Sequence, residues 1–176
     1  MKLELTNIKY AAFASEETHC FEAKLKVDGK HVADISNDGR GGADYVYWKD
    51  GAHVTESRVN DWLKANNAPT VFGDTTIECS LEIWCGDQIN AYLTEREVKK
   101  AMRNMKSKVL YLKDGKVGHF SWKGVKAIDQ RHVDAIKVKY PEHRVLNDLP
   151  PKKAEDIIRK AINGDAEVDA LERATA

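Results

Sequence analysis

The residues with the most chemical content lie in one short stretch, Ser36-Asn37-Asp38-Gly39-Arg40-Gly41-Gly42-Ala43-Asp44. Three glycines in four positions, set among Asn, Asp and Arg, ask for backbone conformations that other residues avoid. Such a loop can turn several N–H groups toward one point, and Arg40 would complete a cradle for a phosphate or carboxylate. No Gly-Lys-Ser/Thr follows, and the next segment reads as a strand rather than a helix. That excludes a P-loop and a dinucleotide-binding fingerprint. Asn37, Asp38 and Asp44 offer calcium-type oxygens, yet EF-hand spacing is absent and no glutamate closes the set. The same glycines also serve a plain strand-to-strand turn. Two readings therefore stand: a binding loop made of Asn37, Asp38, Gly39, Arg40, Gly41, Gly42 and Asp44, or a turn.

A second constellation is cationic. Arg96, Lys99, Lys100, Arg103 and Lys106 recur at helical spacing, opposite an apolar stripe of Val98, Ala101, Met102 and Met105. That face could track a phosphate backbone without sequence preference or meet an acidic protein surface. It could equally be a solvated face whose cations favour the helix C-terminus. No nucleic-acid-reading module surrounds it.

A third is a pair of tripeptides, His53-Val54-Thr55 and His119-Phe120-Ser121. Two His-x-Thr/Ser units on neighbouring strands of one sheet would make a phosphoesterase, with the histidines as general acid and base. His119 reads as strand, but His53 falls between a turn and a helix cap. His19, His31, His132 and His143 show no metal-ligand spacing, and Cys20 has no evident histidine partner. Cys79 and Cys85 lie six residues apart on a predicted helix, about 9 Å at 1.5 Å per residue, too far for a disulfide. No CxxC occurs, and reduced thiols in a cytoplasm are expected. No catalytic residue, cofactor or metal is assigned.

The elements that must hold these residues follow from patterning. With 32% charged and 42% hydrophobic residues the chain reads as globular. No run approaches the ~20 apolar residues of a membrane span, so a soluble protein without a membrane partner is expected. Its net charge of zero hides a sorting: residues 1–95 carry 16 acids and 9 bases, 96–126 carry 2 and 10, and 127–176 carry 10 and 9. Such asymmetry bears on partners rather than on fold.

Leu3, Leu5 and Ile8 suggest a first strand, and Phe21, Ala23, Leu25 and Val27 one face of a second. For the return strand, a three-residue loop Val27-Asp28-Gly29 would pair Phe21 with Ile35 and Ala23 with Ala33, keeping one face apolar. A two-residue loop would set Leu25 beside Val32 and Ala23 beside Asp34. Tyr45–Trp48 is a predicted third partner. Thr55 caps a helix ending near Asn67. Thr75 with Glu78 reads as a capping box for a longer helix, and Thr94 with Glu97 as a second box that restarts it near Leu93. Two strands around Asp114-Gly115, a helix capped by Asp129 and stapled by Ile128 onto Val133, a short strand at 144–146, and a helix opened by Pro150-Pro151 complete the chain. That last helix is expected to bury Ala154, Ile157, Ile158, Ala161 and Ile162. The predicted class is α+β: an N-terminal antiparallel sheet, a helical middle, and a small C-terminal ββαβα lobe. The expected divisions are a β-rich region with packed helices over 1–106, the lobe over 107–164, and a frayed tail over 165–176.

Three segments carry a resemblance: Tyr10–Cys20, Val27-Asp28-Gly29-Lys30, and Ser36 through Gly42. Together with Cys85-Gly86-Asp87 and Val145-Leu146-Asn147, they resemble small uncharacterised accessory proteins of tailed bacteriophages and prophages. The resemblance implies no assigned activity, cofactor or catalytic residue. It implies a non-enzymatic product acting in the host bacterial cytoplasm by binding a host or defence component, a protein or ribonucleoprotein, as an anti-CRISPR or other anti-defence inhibitor would. The alternative from the residues themselves is a phosphate- or nucleotide-binding protein, or a phosphoesterase, using the glycine-rich loop.

Overall fold

The computed structural model describes residues 1–165 and 168. The chain divides into two compact units, Met1–Ala91 and Tyr92–Ala176. Its class is the predicted α+β, with a four-stranded antiparallel sheet first and a small sheet toward the C-terminus.

In the first unit, β1 (Leu3–Tyr10), β2 (Phe21–Val27), β3 (Lys30–Asn37) and β4 (Tyr45–Trp48) pair in chain order. Phe21, Ala23, Leu25 and Val27 of β2 are all buried while Glu22 and Lys24 are exposed, the alternation of a sheet with one wet face. The register of β2 on β3 corrects the expectation. Phe21 faces Asn37, Ala23 faces Ile35 and Leu25 faces Ala33, whereas Lys26 faces His31 and Val27 faces Lys30. The tip is thus a two-residue turn, Asp28 and Gly29 both at positive φ (51° and 79°), as a type I′ turn requires. A bulge at Val32 then shifts the pairing by one. That shift lets Val32, Ala33 and Ile35 all be buried without placing Asp34 opposite Ala23.

Helix α1 (Glu56–Asn66) is capped by Thr55, whose hydroxyl accepts from the Arg58 N–H, and it buries Val59 and Leu63. The next expectation fails. Thr75–Ile77 is a strand, β6, paired with β5 (Thr70–Phe72). Three β-branched residues in succession favour the extended chain, and Gly73-Asp74 closes the hairpin with Gly73 at φ +55°. Helix α2 (Leu81–Asn104) begins later than predicted, with the Ser80 hydroxyl accepting from the Ile83 N–H. Cys79 therefore precedes the helix, although it and Cys85 are both buried and unbridged. The predicted break near Leu93 is also absent. Thr94 sits within a continuous helix, and its hydroxyl donates to Asn163 Oδ1 at 3.0 Å instead of capping a new one.

Beyond α2 the chain has the predicted ββαβα order. β7 (Val109–Lys113) lies between β8 (Lys116–Phe120) and β9 (Arg144–Val145), all antiparallel. Asp129 caps α3 (Gln130–Lys139), accepting from the Arg131 and His132 N–H groups. Ile128 packs in the cluster that contains Val133, Ile136, Val109 and Val145. A second cluster joins Val98 of α2 to Leu110, Leu112, Leu146, and the Ala154, Ile157 and Ile158 stripe of α4 (Pro151–Ile162). Asn147 fastens the start of β7: its Oδ1 accepts from the Leu110 N–H at 2.7 Å, and its Nδ2 donates to the Met105 and Lys108 carbonyls. Ile162, expected in the core, is exposed. The predicted tail lies outside the described residues except for Asp165 and Val168, the latter buried in the second cluster.

Candidate functional site

The glycine loop connects β3 to β4, and a single side chain organises it. Asn37, the last residue of β3, is buried. Its Oδ1 accepts from Thr18 Oγ1 at 2.7 Å and from the Gly39 N–H at 2.9 Å. Its Nδ2 donates to Asp44 Oδ1 at 3.0 Å and to the Gly42 carbonyl at 3.3 Å. Both ends of the loop are thereby tied to one amide, as a buried amide needs. The Gly41 N–H donates to Thr18 Oγ1 and the Arg40 N–H to Asp38 Oδ1.

The N–H groups of Gly39, Arg40 and Gly41 are thus engaged inside the protein. A concave set of consecutive N–H groups does exist, but it belongs to the segment between β1 and β2. Glu16 and Glu17 (2.9 Å each) and Thr18 (3.3 Å) all donate to the Gly39 carbonyl. The oxygen that fills this nest is the loop's own. Gly39 has φ +85°, and a Cβ there would run into the Ala14 carbonyl oxygen and stand 2.8 Å from Cys20 Cβ. At Gly41 a Cβ would meet Glu17 Oε2 at 2.5 Å, while at Gly42 it would meet open space. The glycine demand at 39 therefore comes from a close approach between main chains.

A cleft of about 450 Å³ adjoins the loop, lined by Thr18, His19, Asn37 and Gly42 and by four carboxylates, Glu16, Glu17, Asp44 and Glu82. Burial pushes the Asp44 carboxyl above the usual aspartate range, opposed by the Asn37 bond and reinforced by the Glu82 charge. This lining favours a cation over a phosphate. Arg40, the cation of the expected cradle, is exposed and does not line the cleft. Sequence reasoning missed Glu16, Glu17, Thr18 and Glu82, which come from other segments and carry no motif.

The basic residues are brought together as predicted by helical spacing. Arg96, Lys99, Lys100 and Arg103 are exposed on α2, while Val98 is buried and Ala101, Met102 and Met105 pack on the core. Lys106 lies just beyond the helix end. Lys99 pairs with Glu95 at 3.3 Å and Lys100 with Glu97 at 3.0 Å. Arg96, Arg103 and Lys106 have no carboxylate partner among the described residues.

The two histidine tripeptides do not lie on strands of one sheet. His119 is on β8, while His53 lies in a bend before α1, in the other unit and on no strand. The neighbouring-strand geometry that the phosphoesterase requires is absent. Burial pushes the Cys85 thiol far upward, helped by the Asp44 and Glu82 charges, and Cys79 is raised likewise. Neither is poised as a nucleophile. No group of three or more His, Cys, Asp or Glu among the described residues is placed to hold a metal ion. No described helix is long and apolar enough to cross a membrane. Comparison with protein-family models, with curated proteins and with solved structures finds no match to this chain.

Proposed function

We propose that the protein acts by binding: a non-enzymatic phage accessory protein that engages a bacterial host or defence component in the bacterial cytoplasm, as an anti-CRISPR or related inhibitor would. The contact surface is the outer face of α2. The observation that carries this reading is the set of cations along that face, of which Arg96, Arg103 and Lys106 have no carboxylate partner among the described residues. Exposed ion pairs such as Lys99–Glu95 add little to stability, so the fold has small need of these charges. The loop's polar groups are used within the protein, which leaves the α2 face as the contact surface. The cleft beside the loop is lined by carboxylates, which weighs against a phosphate ligand there.

The test is charge reversal. The triple variant Lys99→Glu, Lys100→Glu, Arg103→Glu should lose the partner that the parent captures from bacterial lysate, with a glutamine triple variant intermediate. Circular dichroism should show both variants folded. Equal capture by parent and reversed variant would reduce the stripe to a solvated face.

A further inference from the structure

Two edge strands bound the N-terminal sheet, and they are finished differently. Along β1 the ladder is interrupted between Thr6 and Lys9, with Asn7 at φ 54°. Its Glu4 and Lys9 carry charges, paired to Lys2 at 2.8 Å and to Glu22 at 3.1 Å. Bulges and charges keep an edge strand from pairing with another chain. β4 has neither. Tyr45-Val46-Tyr47-Trp48 contains no charge and no proline, and its register on β3 runs unbroken from Ser36–Tyr45 to Ala33–Trp48. We infer that β4 is the interface of a two-fold dimer, in which the same strand of a second copy pairs with it antiparallel and two four-stranded sheets become one of eight strands. This goes beyond the reading of the α2 face and does not depend on it.

The main chain of β4 is set for such pairing. The Lys49 N–H donates to the Val32 carbonyl at 2.8 Å, so along an antiparallel ladder Tyr47 and Tyr45 also turn their N–H and C=O groups toward β3. Those of Val46 and Trp48 therefore point away from the sheet, on the side where no strand pairs with β4 among the described residues. An outward row of donors and acceptors selects an extended chain as its occupant. Val46 and Trp48 lie opposite buried Ile35 and Ala33, while Tyr45 and Tyr47 stand on the outer face, 54% and 63% exposed.

A second copy suits this edge because β4 is complementary to itself. A two-fold axis normal to the sheet sets Val46 opposite Val46 of the second copy, and that pair can exchange both N–H···O bonds. Tyr45 then lies opposite the second copy's Tyr47, and Tyr47 opposite its Tyr45, giving two cross-strand aromatic pairs on one face. Sliding the copies by two residues sets Asp44 opposite Asp50 in one direction, and in the other leaves only Tyr45 opposite a strand residue. Charge and overlap thus select the first register. The four half-exposed tyrosines offer about 500 Å², below the ~1,200 Å² at which stable complexes begin, so the dimer is a dissociable one. A nucleic-acid strand stacked on the tyrosines is disfavoured by charge, since residues 1–95 carry 16 acids and 9 bases.

Sedimentation of the full-length protein from about 10 µM to about 1 mM should show its mass rising reversibly toward that of a dimer. Hydrogen exchange at the Val46 and Trp48 amides should slow over the same range. Tyr45→Lys combined with Tyr47→Lys sets like charges opposite each other twice and should weaken association at least about tenfold. Tyr45→Lys combined with Tyr47→Glu sets Lys opposite Glu twice and should recover it. Both positions are exposed, so circular dichroism should be unchanged in either variant. A parent that stays monomeric throughout, a Lys/Lys variant that associates as the parent does, or slowed exchange at β1 in place of β4 would overturn the inference. So would a Lys/Glu variant that associates no better than the Lys/Lys one. A monomeric parent whose captured lysate partner is lost by the Lys/Lys variant would give the edge to a foreign strand and overturn the dimer.

Discussion

Replacing Gly39 by alanine should damage the first unit far more than replacing Gly42, although both glycines have positive φ (85° and 94°). Moving an L-residue into that region costs about 1 kcal/mol at either site. Only at Gly39 does the new Cβ also strike the Ala14 carbonyl and crowd Cys20 Cβ. Relief requires the 11–20 segment to retreat, which loosens the Glu16, Glu17 and Thr18 N–H bonds to the Gly39 carbonyl. At about 1 kcal/mol per bond, Gly39→Ala should cost about 3–4 kcal/mol and Gly42→Ala about 1. The first figure is a large part of the ~5–15 kcal/mol that stabilises an ordinary domain. Urea unfolding followed by tryptophan emission gives the two values, and hydrogen exchange of the Glu16, Glu17 and Thr18 amides localises the loss. If the two variants agree within about 0.5 kcal/mol, the close approach is not what fixes glycine at 39.

Three further outcomes follow from charge and burial. Asp44 titrates above its unfolded value of about 3.9, so between the two pKa values the folded state holds more protons and stability falls as pH rises. Asp44→Asn keeps an oxygen for Asn37 Nδ2, and it should flatten that slope and raise the melting temperature at pH 7; an unchanged slope would count against the burial argument. Asp129 is held well below the usual range, first by the Arg131 guanidinium and then by His132. Its contribution is present above about pH 4 and is lost as pH falls toward the depressed folded value, so the advantage of the parent over Asp129→Asn should close on acidification. Asp129→Ala, which also loses the cap, should stay the least stable of the three at neutral pH. Alkylation of the native protein should modify Cys20 first, since it is partly exposed while Cys79 and Cys85 are buried; mass spectrometry reporting Cys85 first would contradict the structure.

The strands were legible where one face alternates, as in Phe21-Glu22-Ala23-Lys24-Leu25, because burial on one side of a sheet imposes that period. The bulge at Val32 was not, since it answers a question of fit between β2 and the buried trio Val32, Ala33 and Ile35. Thr75-x-x-Glu78 and Thr94-x-x-Glu97 both matched a capping box and neither is one. The motif needs an extended residue before a helix, and the β-branched run at 75–77 and the continuous turn through Thr94 deny it. The basic stripe was legible because helical periodicity sorts it opposite Val98 and Met105. The carboxylates beside the loop were not, because Glu16, Glu17 and Glu82 come from separate segments.

The two conspicuous features of the chain therefore sit on different links between sequence and function. In the loop, Asn37 uses both ends of its amide within the protein, and the Gly39 carbonyl takes three N–H groups from one neighbouring segment. Groups so fully satisfied have little left to offer a ligand, which makes the loop a device for holding main chains close. On α2 the reverse holds: Arg96 and Arg103 project from a helix whose packing is supplied by its other face. Loop variants should therefore move stability, and α2 variants should move partner binding with the fold retained. A Gly39→Ala protein that unfolds more easily yet captures its partner normally below its unfolding transition would separate the two roles. Loss of capture by still-folded Gly39→Ala molecules would return the loop to the contact surface.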